Sequence, residues 1–147
     1  VLIDDLPEKK AAVQRFIEKY YPNDELTWFK NFRQAQNNLL VYTFDLLLLD
    51  MSFEVHGAVA EDLAFNGLAG LHVLQFMWAS EIEIPTVILT SHENYSDPDF
   101  GVLRGIDALR NHAREVFGET VIDVVKLVPD EAIWNAQLKE ILENAGI

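Results

Sequence analysis

Hydrophobic positions along the chain change their period repeatedly, and each change marks a new element. Val1-Leu2-Ile3 is a short apolar run that ends in Asp4-Asp5. Pro7 then suits a first helical position and Glu8 the positive end of a helix dipole. Val13, Phe16, Ile17 and Tyr20 follow at i, i+3, i+4 and i+7, one buried helical face. The turn Pro22-Asn23-Asp24 closes that helix, residues 25–30 read as a second strand, and residues 31–40 as a second helix. The run Phe44-Asp45-Leu46-Leu47-Leu48-Leu49-Asp50 comes next. Its consecutive leucines leave no polar face, so it predicts a strand buried on both sides of a parallel sheet.

Residues 51–66 carry no clear periodicity. A third helix is predicted over 67–80, with Leu68, Leu71, Leu74 and Trp78 on its buried side. Pro85-Thr86-Val87-Ile88-Leu89-Thr90 repeats the doubly buried strand pattern, and residues 91–99 are polar and turn-rich. Val102, Ile106, Leu109, Ala113 and Val116 recur at steps of three and four up to Gly118, which predicts an extended fourth helix over 99–117. Residues 121–128 read as the fifth strand. Pro129, Asp130 and Glu131 open a last helix that buries Trp134, Leu138, Ile141 and Ala145.

Strands alternating with helices from end to end imply βαβ units, right-handed crossovers and a doubly wound parallel sheet with helices on both faces. No repeat, low-complexity tract or linker divides the 147 residues, so residues 1–147 are expected to form a single α/β domain. Composition adds little to this picture. Half the residues are hydrophobic (50%) and 24% are charged, as in ordinary globular chains. The formal charge of −13 disfavours nonspecific contact with nucleic acid, since phosphate backbones reward Lys and Arg. Cysteine is absent, which excludes disulfides and thiolate metal sites. The apolar runs are too short for a membrane span, and a cytoplasmic location is expected.

The chemistry gathers where the strands end. Open α/β sheets bind ligands at the carboxyl edge of their strands, and Asp4, Asp5, Asp50 and Thr90 all follow apolar strand runs, with Lys126 near the end of the last. Three carboxylates in one cleft repel one another, so ionising all of them calls for a cation. Mg²⁺ suits them: it is hard, takes oxygen ligands and bridges carboxylates to phosphates. Lys126 supplies a point charge for Asp50 or for a phosphoryl oxygen, and the Thr90 hydroxyl a donor. Positioning and charge neutralisation carry most of phosphoryl transfer, with Asp50 as the nucleophile that becomes an acyl phosphate.

Ile3-Asp4-Asp5-Leu6-Pro7, the strand ending in Asp50, Ile88-Leu89-Thr90 and Val125-Lys126 together resemble the signature positions of the response-regulator receiver domain, the CheY-like family, across essentially the whole chain. The resemblance implies a flavodoxin-like five-stranded sheet of order 2-1-3-4-5. It further implies two-component phosphorelay signalling, in which Asp50 accepts phosphate from a histidine kinase or a histidine phosphotransfer protein. Asp4, Asp5, Asp50 and the backbone carbonyl of Ser52 would hold Mg²⁺, while Thr90 and Lys126 would engage the phosphoryl group. Output would pass to a partner or to an effector domain outside this chain, with no membrane or nucleic-acid contact by the domain itself, as monomer or dimer. No turnover enzyme is implied.

The sequence departs from that pattern at several points. No proline follows Asp50 in Met51-Ser52-Phe53-Glu54-Val55, and an insertion over about 54–66 precedes Gly70-Leu71. Leu127, not proline, follows Lys126. The last strand lacks the expected aromatic, since Asp123, Val124 and Val125 lead up to Lys126. The long Thr90–Lys126 separation is assigned to the extended fourth helix. His92 reads as a solvent-facing loop residue, and His56, His72 and His112 lack mutual metal-ligand spacing. The departures keep a second reading open, a receiver-like interaction module that no longer switches on phosphorylation. A Mg²⁺-dependent phosphohydrolase ranks far behind, because adjacent Asp4-Asp5 lacks the Asp-x-Asp spacing of haloacid dehalogenase-like phosphatases.

Overall fold

The computed structural model describes residues 1–52, 68–97 and 100–147. The elements run β1 (Leu2–Ile3), α1 (Pro7–Tyr20), β2 (Trp28–Phe29), α2 (Phe32–Leu39), β3 (Leu47–Leu49), α3 (Ala69–Ala79) and β4 (Thr86–Thr90). Then follow β5 (Asn94–Asp97), β6 (Gly101–Arg104), α4 (Ile106–Phe117), β7 (Val121–Lys126) and α5 (Glu131–Asn144). The main sheet has the order β2-β1-β3-β4-β7 with every neighbouring pair parallel. This is the expected 2-1-3-4-5 order once the separate hairpin β5–β6 is set aside.

The leucine run explains how one sheet serves two cores. Successive strand residues point to opposite faces. Leu48 therefore joins Leu2, Val87, Leu89 and Val125 beneath α1 and α5, whose Val13, Phe16, Trp134 and Leu138 cover that side. Leu47 and Leu49 join Ile3, Ile88 and Val124 on the other face, under α2, α3 and α4. Each fully buried leucine contributes about 1.5–3 kcal/mol. No helix among the described residues is long and apolar enough to cross a membrane.

The largest correction concerns the region before α4. The helix expected over 99–117 begins only at Ile106, and residues 101–104 are a strand paired antiparallel with residues 94–97. Val102 lies on that strand and is exposed, so its place in the helical stripe was a coincidence of spacing. The pair Tyr95↔Leu103 shows the period-2 logic: Tyr95 is fully buried and Leu103 partly so, while Asn94 opposite Arg104 faces out. Gly105 joins hairpin to helix at φ +88°, a left-handed conformation that favours glycine, and its amide donates to the Glu93 carbonyl at 2.7 Å. The hairpin, rather than a longer helix, accounts for the wide Thr90–Lys126 separation.

Smaller corrections follow from helix rotation. Trp78 is 70% exposed, because α3 buries Leu71, Val73, Leu74 and Met77 instead. Val116 is exposed while neighbouring Phe117 is buried, and α5 turns Leu142 inward where Ile141 and Ala145 were expected. The expected insertion over 54–66 lies outside the described residues.

Candidate functional site

Backbone pairing brings the acidic residues together. The Asp50 amide donates to the Ile3 carbonyl at 3.0 Å, and the Asp4 amide to the Phe29 carbonyl at 3.1 Å, so both aspartates stand where the central strands end. Asp4 and Asp50 are each 1% exposed, and Asp5 is half-buried. One carboxylate oxygen from each of Asp4, Asp5 and Asp50 lies within 4.8 Å of the others. Asp4 also shapes the β1–α1 turn, where its Oδ1 accepts from the Leu6 amide at 2.9 Å. The Trp28 indole donates to the Asp4 carbonyl at 2.7 Å, which fixes that backbone from the sheet edge.

Close approach of α3 confines Asp50 from the far side. A Cβ on Gly70 would fall 2.5 Å from the Asp50 carbonyl oxygen and 2.2 Å from Met51 Cε, so only glycine fits there. The Gly70 amide donates to the Met51 carbonyl at 3.0 Å, tying the helix start to the site. Ser52, half-buried, ends the described stretch after Asp50.

A residue outside the expected set holds the cluster. Lys9, in the first turn of α1, donates from Nζ to Asp50 Oδ1 at 2.9 Å and lies 3.2 Å from Asp4 Oδ2. Its side chain is 11% exposed. Burial, reinforced by Asp4, pushes the Asp50 carboxyl up to about 7, with Lys9 opposing. Burial likewise raises Asp4, again against the pull of Lys9. Burial works to lower Lys9, but the Asp50 and Asp4 charges outweigh it and raise its pKa. The sequence carries no signal that singles out Lys9: a lysine in the first turn opposes the helix dipole, but neighbouring Lys10 does so equally.

Thr90 and Lys126 end adjacent strands in register with each other. Thr90 is fully buried, and its hydroxyl makes a hydrogen bond with the Tyr95 hydroxyl and accepts from the His92 amide at 3.2 Å. The Tyr95 hydroxyl donates to the His92 carbonyl at 2.9 Å. Burial, with the Asp50 charge adding to it, raises the Tyr95 phenol. An aromatic ring thus stands beside Thr90 after all, delivered by the hairpin rather than by β7. Lys126 differs from expectation: its ammonium pairs with Glu93, half exposed, instead of with Asp50, which Lys9 already serves. His92 is exposed, as expected. His72 has a structural contact, Nε2 to Asp97 Oδ2 at 2.9 Å, that pins the hairpin to α3.

The ligand set suits a hard divalent cation, since three carboxylates converge and two of them are buried. Lys9 already occupies oxygens of two of the three.

No family model matches the sequence, and no curated protein matches it. Solved structures do. The RcsB response regulator of Salmonella typhimurium superposes with a TM-score of 0.67 at 13% identity, covering 99% of this chain and 57% of that one. The present chain therefore spans little more than half of RcsB. The phosphorylated cyanobacterial phytochrome response regulator RcpA gives 0.62 at 15% identity, covering 97% of this chain and 89% of its own. The Thermotoga maritima response regulator TrrA, in complex with Mg²⁺-BeF, gives 0.58 at 15% identity with 96% of both chains covered. The chain has the flavodoxin-like fold of response-regulator receiver domains.

Proposed function

We propose that this chain is a receiver domain of a two-component phosphorelay and that Asp50 is its phosphoacceptor. The observation that carries the reading is the convergence of Asp4, Asp5 and Asp50 at the carboxyl edge of the sheet, with Thr90 ending the next strand. The likeness to RcpA, solved in phosphorylated form, and to TrrA, solved with Mg²⁺-BeF, supports it.

In the proposed step an Asp50 carboxylate oxygen attacks the phosphorus of a phosphohistidine on a kinase or phosphotransfer protein. The new P–O bond forms as the P–N bond breaks, and the imidazole nitrogen keeps the electron pair. Mg²⁺, held by Asp4, Asp5 and Asp50 with the Ser52 carbonyl, would neutralise charge on the phosphoryl oxygens. Asp4 and Asp5 orient the site, and burial of Asp50 excludes bulk water from the carboxylate. The Thr90 hydroxyl, at the end of the neighbouring strand, would be the neutral donor to the phosphoryl group. Phosphoryl charge on Asp50 competes with Tyr95 for that hydroxyl, and Tyr95 is buried while the rest of its strand is not. The hairpin is thereby the element placed to respond, and it adjoins α4.

The chain acts here as an acceptor and not as a turnover enzyme, in a cytoplasmic setting where such kinases deliver phosphate. Output goes to a protein partner or an effector domain beyond this sequence. Incubation with Mg²⁺ and acetyl phosphate is expected to add the mass of one phosphoryl group to the protein and nothing to Asp50→Asn. An unchanged mass under saturating donor overturns the proposal.

A further inference from the structure

Lys9 is the residue at the acidic cluster that the phosphoacceptor reading leaves without a task. Its position is electrostatically awkward twice over. A cation in the first turn of a helix faces the positive end of the dipole. Burial to 11% exposure also strips the ammonium of water. Both costs are offset by its two partners, Asp50 Oδ1 at 2.9 Å and Asp4 Oδ2 at 3.2 Å. Those oxygens belong to the same carboxylates that, with Asp5, form the candidate cation site.

Geometry makes the two cations alternatives. Mg²⁺ sits about 2.0–2.1 Å from its oxygen ligands. An ion at that distance from the Asp50 and Asp4 carboxylates would stand within a few ångströms of an ammonium bridging the same pair, so that like charges come into near contact. Lys126 does not enter this competition, because its ammonium is held by Glu93. The lysine stem has four rotatable carbons, so withdrawal of its head toward solvent needs no movement of α1.

We infer that Lys9 is a tethered counter-ion of the Asp4–Asp50 pair, which a divalent cation must displace, so that the first turn of α1 sets the cation affinity of the site. The cluster is charge-compensated before any metal arrives. Its readiness as a phosphoacceptor is governed by how easily Lys9 gives way, a consequence that rests on the receiver reading, although the exchange itself does not.

The test is titration of the intact chain and of Lys9→Met, Lys9→Gln and Lys9→Arg with Mn²⁺, followed by electron paramagnetic resonance, and with Mg²⁺ by calorimetry. Removal of one like charge from contact distance predicts that Lys9→Met and Lys9→Gln bind the ion about ten-fold more tightly than the parent, while Lys9→Arg remains as weak. Thermal melting gives a second readout. The metal-free neutral variants melt below the parent, and saturating Mg²⁺ raises their midpoints by more than it raises the parent's. Equal affinity in the parent and a folded neutral variant overturns the inference, as does a gain in Lys9→Arg equal to that in Lys9→Met. A neutral variant that folds only with Mg²⁺ supports it. Failure of the receiver reading has a separate signature: no phosphoryl mass gain in any variant, while the ten-fold gain in Mn²⁺ affinity persists. Phosphoryl gain with unchanged affinity leaves that reading standing and removes Lys9 from it.

Discussion

The two sides of the site are built from different physics. On the β1–β3 side, two buried carboxylates and a largely covered lysine hold one another, and every member carries or can carry charge. On the β4–β7 side, the contacts at the centre are between neutral hydroxyls, Thr90 and Tyr95, and the Lys126 ammonium pairs with Glu93 at the surface. A charged cluster in a dry setting is costly to disturb, since removing one partner strands another. A neutral pair can exchange partners at little cost. The first side therefore suits holding an ion or a phosphoryl group, and the second suits reporting its arrival.

Several substitutions would break or sharpen that contrast. The largest effect is expected from Lys9→Met without divalent ion, which leaves Asp50 and Asp4 facing each other and should cost about 3–5 kcal/mol of stability in urea melts. An effect under 1 kcal/mol would show that the charged side is solvated and not interdependent. Gly70→Ala forces a methyl against the Asp50 carbonyl and Met51 and is expected to cost about 1–3 kcal/mol by the same measurement.

Acid–base behaviour separates the two sides as well. Asp50 lies at about 7 in the fold against an ordinary 3.8, so the folded state binds its proton more tightly than the unfolded chain does. Its contribution is thus fully present below 3.8 and is lost as pH rises through about 7. Between pH 5 and 8 stability should fall by on the order of 2 kcal/mol more in the parent than in Asp50→Asn. Parallel pH profiles would contradict the assignment. On the neutral side, Tyr95→Phe removes one hydroxyl from Thr90 and should cost about 1 kcal/mol, with no change in pH slope. Lys126→Met breaks only a half-exposed ion pair and should move stability by at most about 0.5 kcal/mol.

Legibility in the sequence followed the same division. Asp4, Asp5 and Asp50 could be placed from sequence because apolar runs such as Leu46–Leu49 admit one strand assignment, and strand ends in a parallel sheet converge by topology. Lys9 was missed because a lysine beside Glu8 looks like any solvated helix charge; only the fold shows that α1 begins over the cluster. The hairpin was missed because Val102 and Ile106 happen to share helical spacing, which masked the two-residue alternation through Tyr95 and Leu103. Gly105, with its positive φ, marks the true start of α4. Trp78 and Val116 were misplaced because a helix rich in apolar residues offers several stripes, and packing against the sheet selects one.

By itself the sequence determined the parallel α/β architecture, the strand order carried by its family resemblance, and which carboxylates would meet. Runs of doubly buried residues leave the chain little alternative. Tertiary structure decided which cation holds those carboxylates and which aromatic touches Thr90. The first joins side chains distant in sequence, Lys9 rather than Lys126 to Asp50. The second joins near neighbours, Thr90 and Tyr95, which meet only because the hairpin strand turns that ring inward; in each, several side chains compete for one buried partner. No local pattern encodes the winner of such a competition, because it is set by reach, burial and charge together.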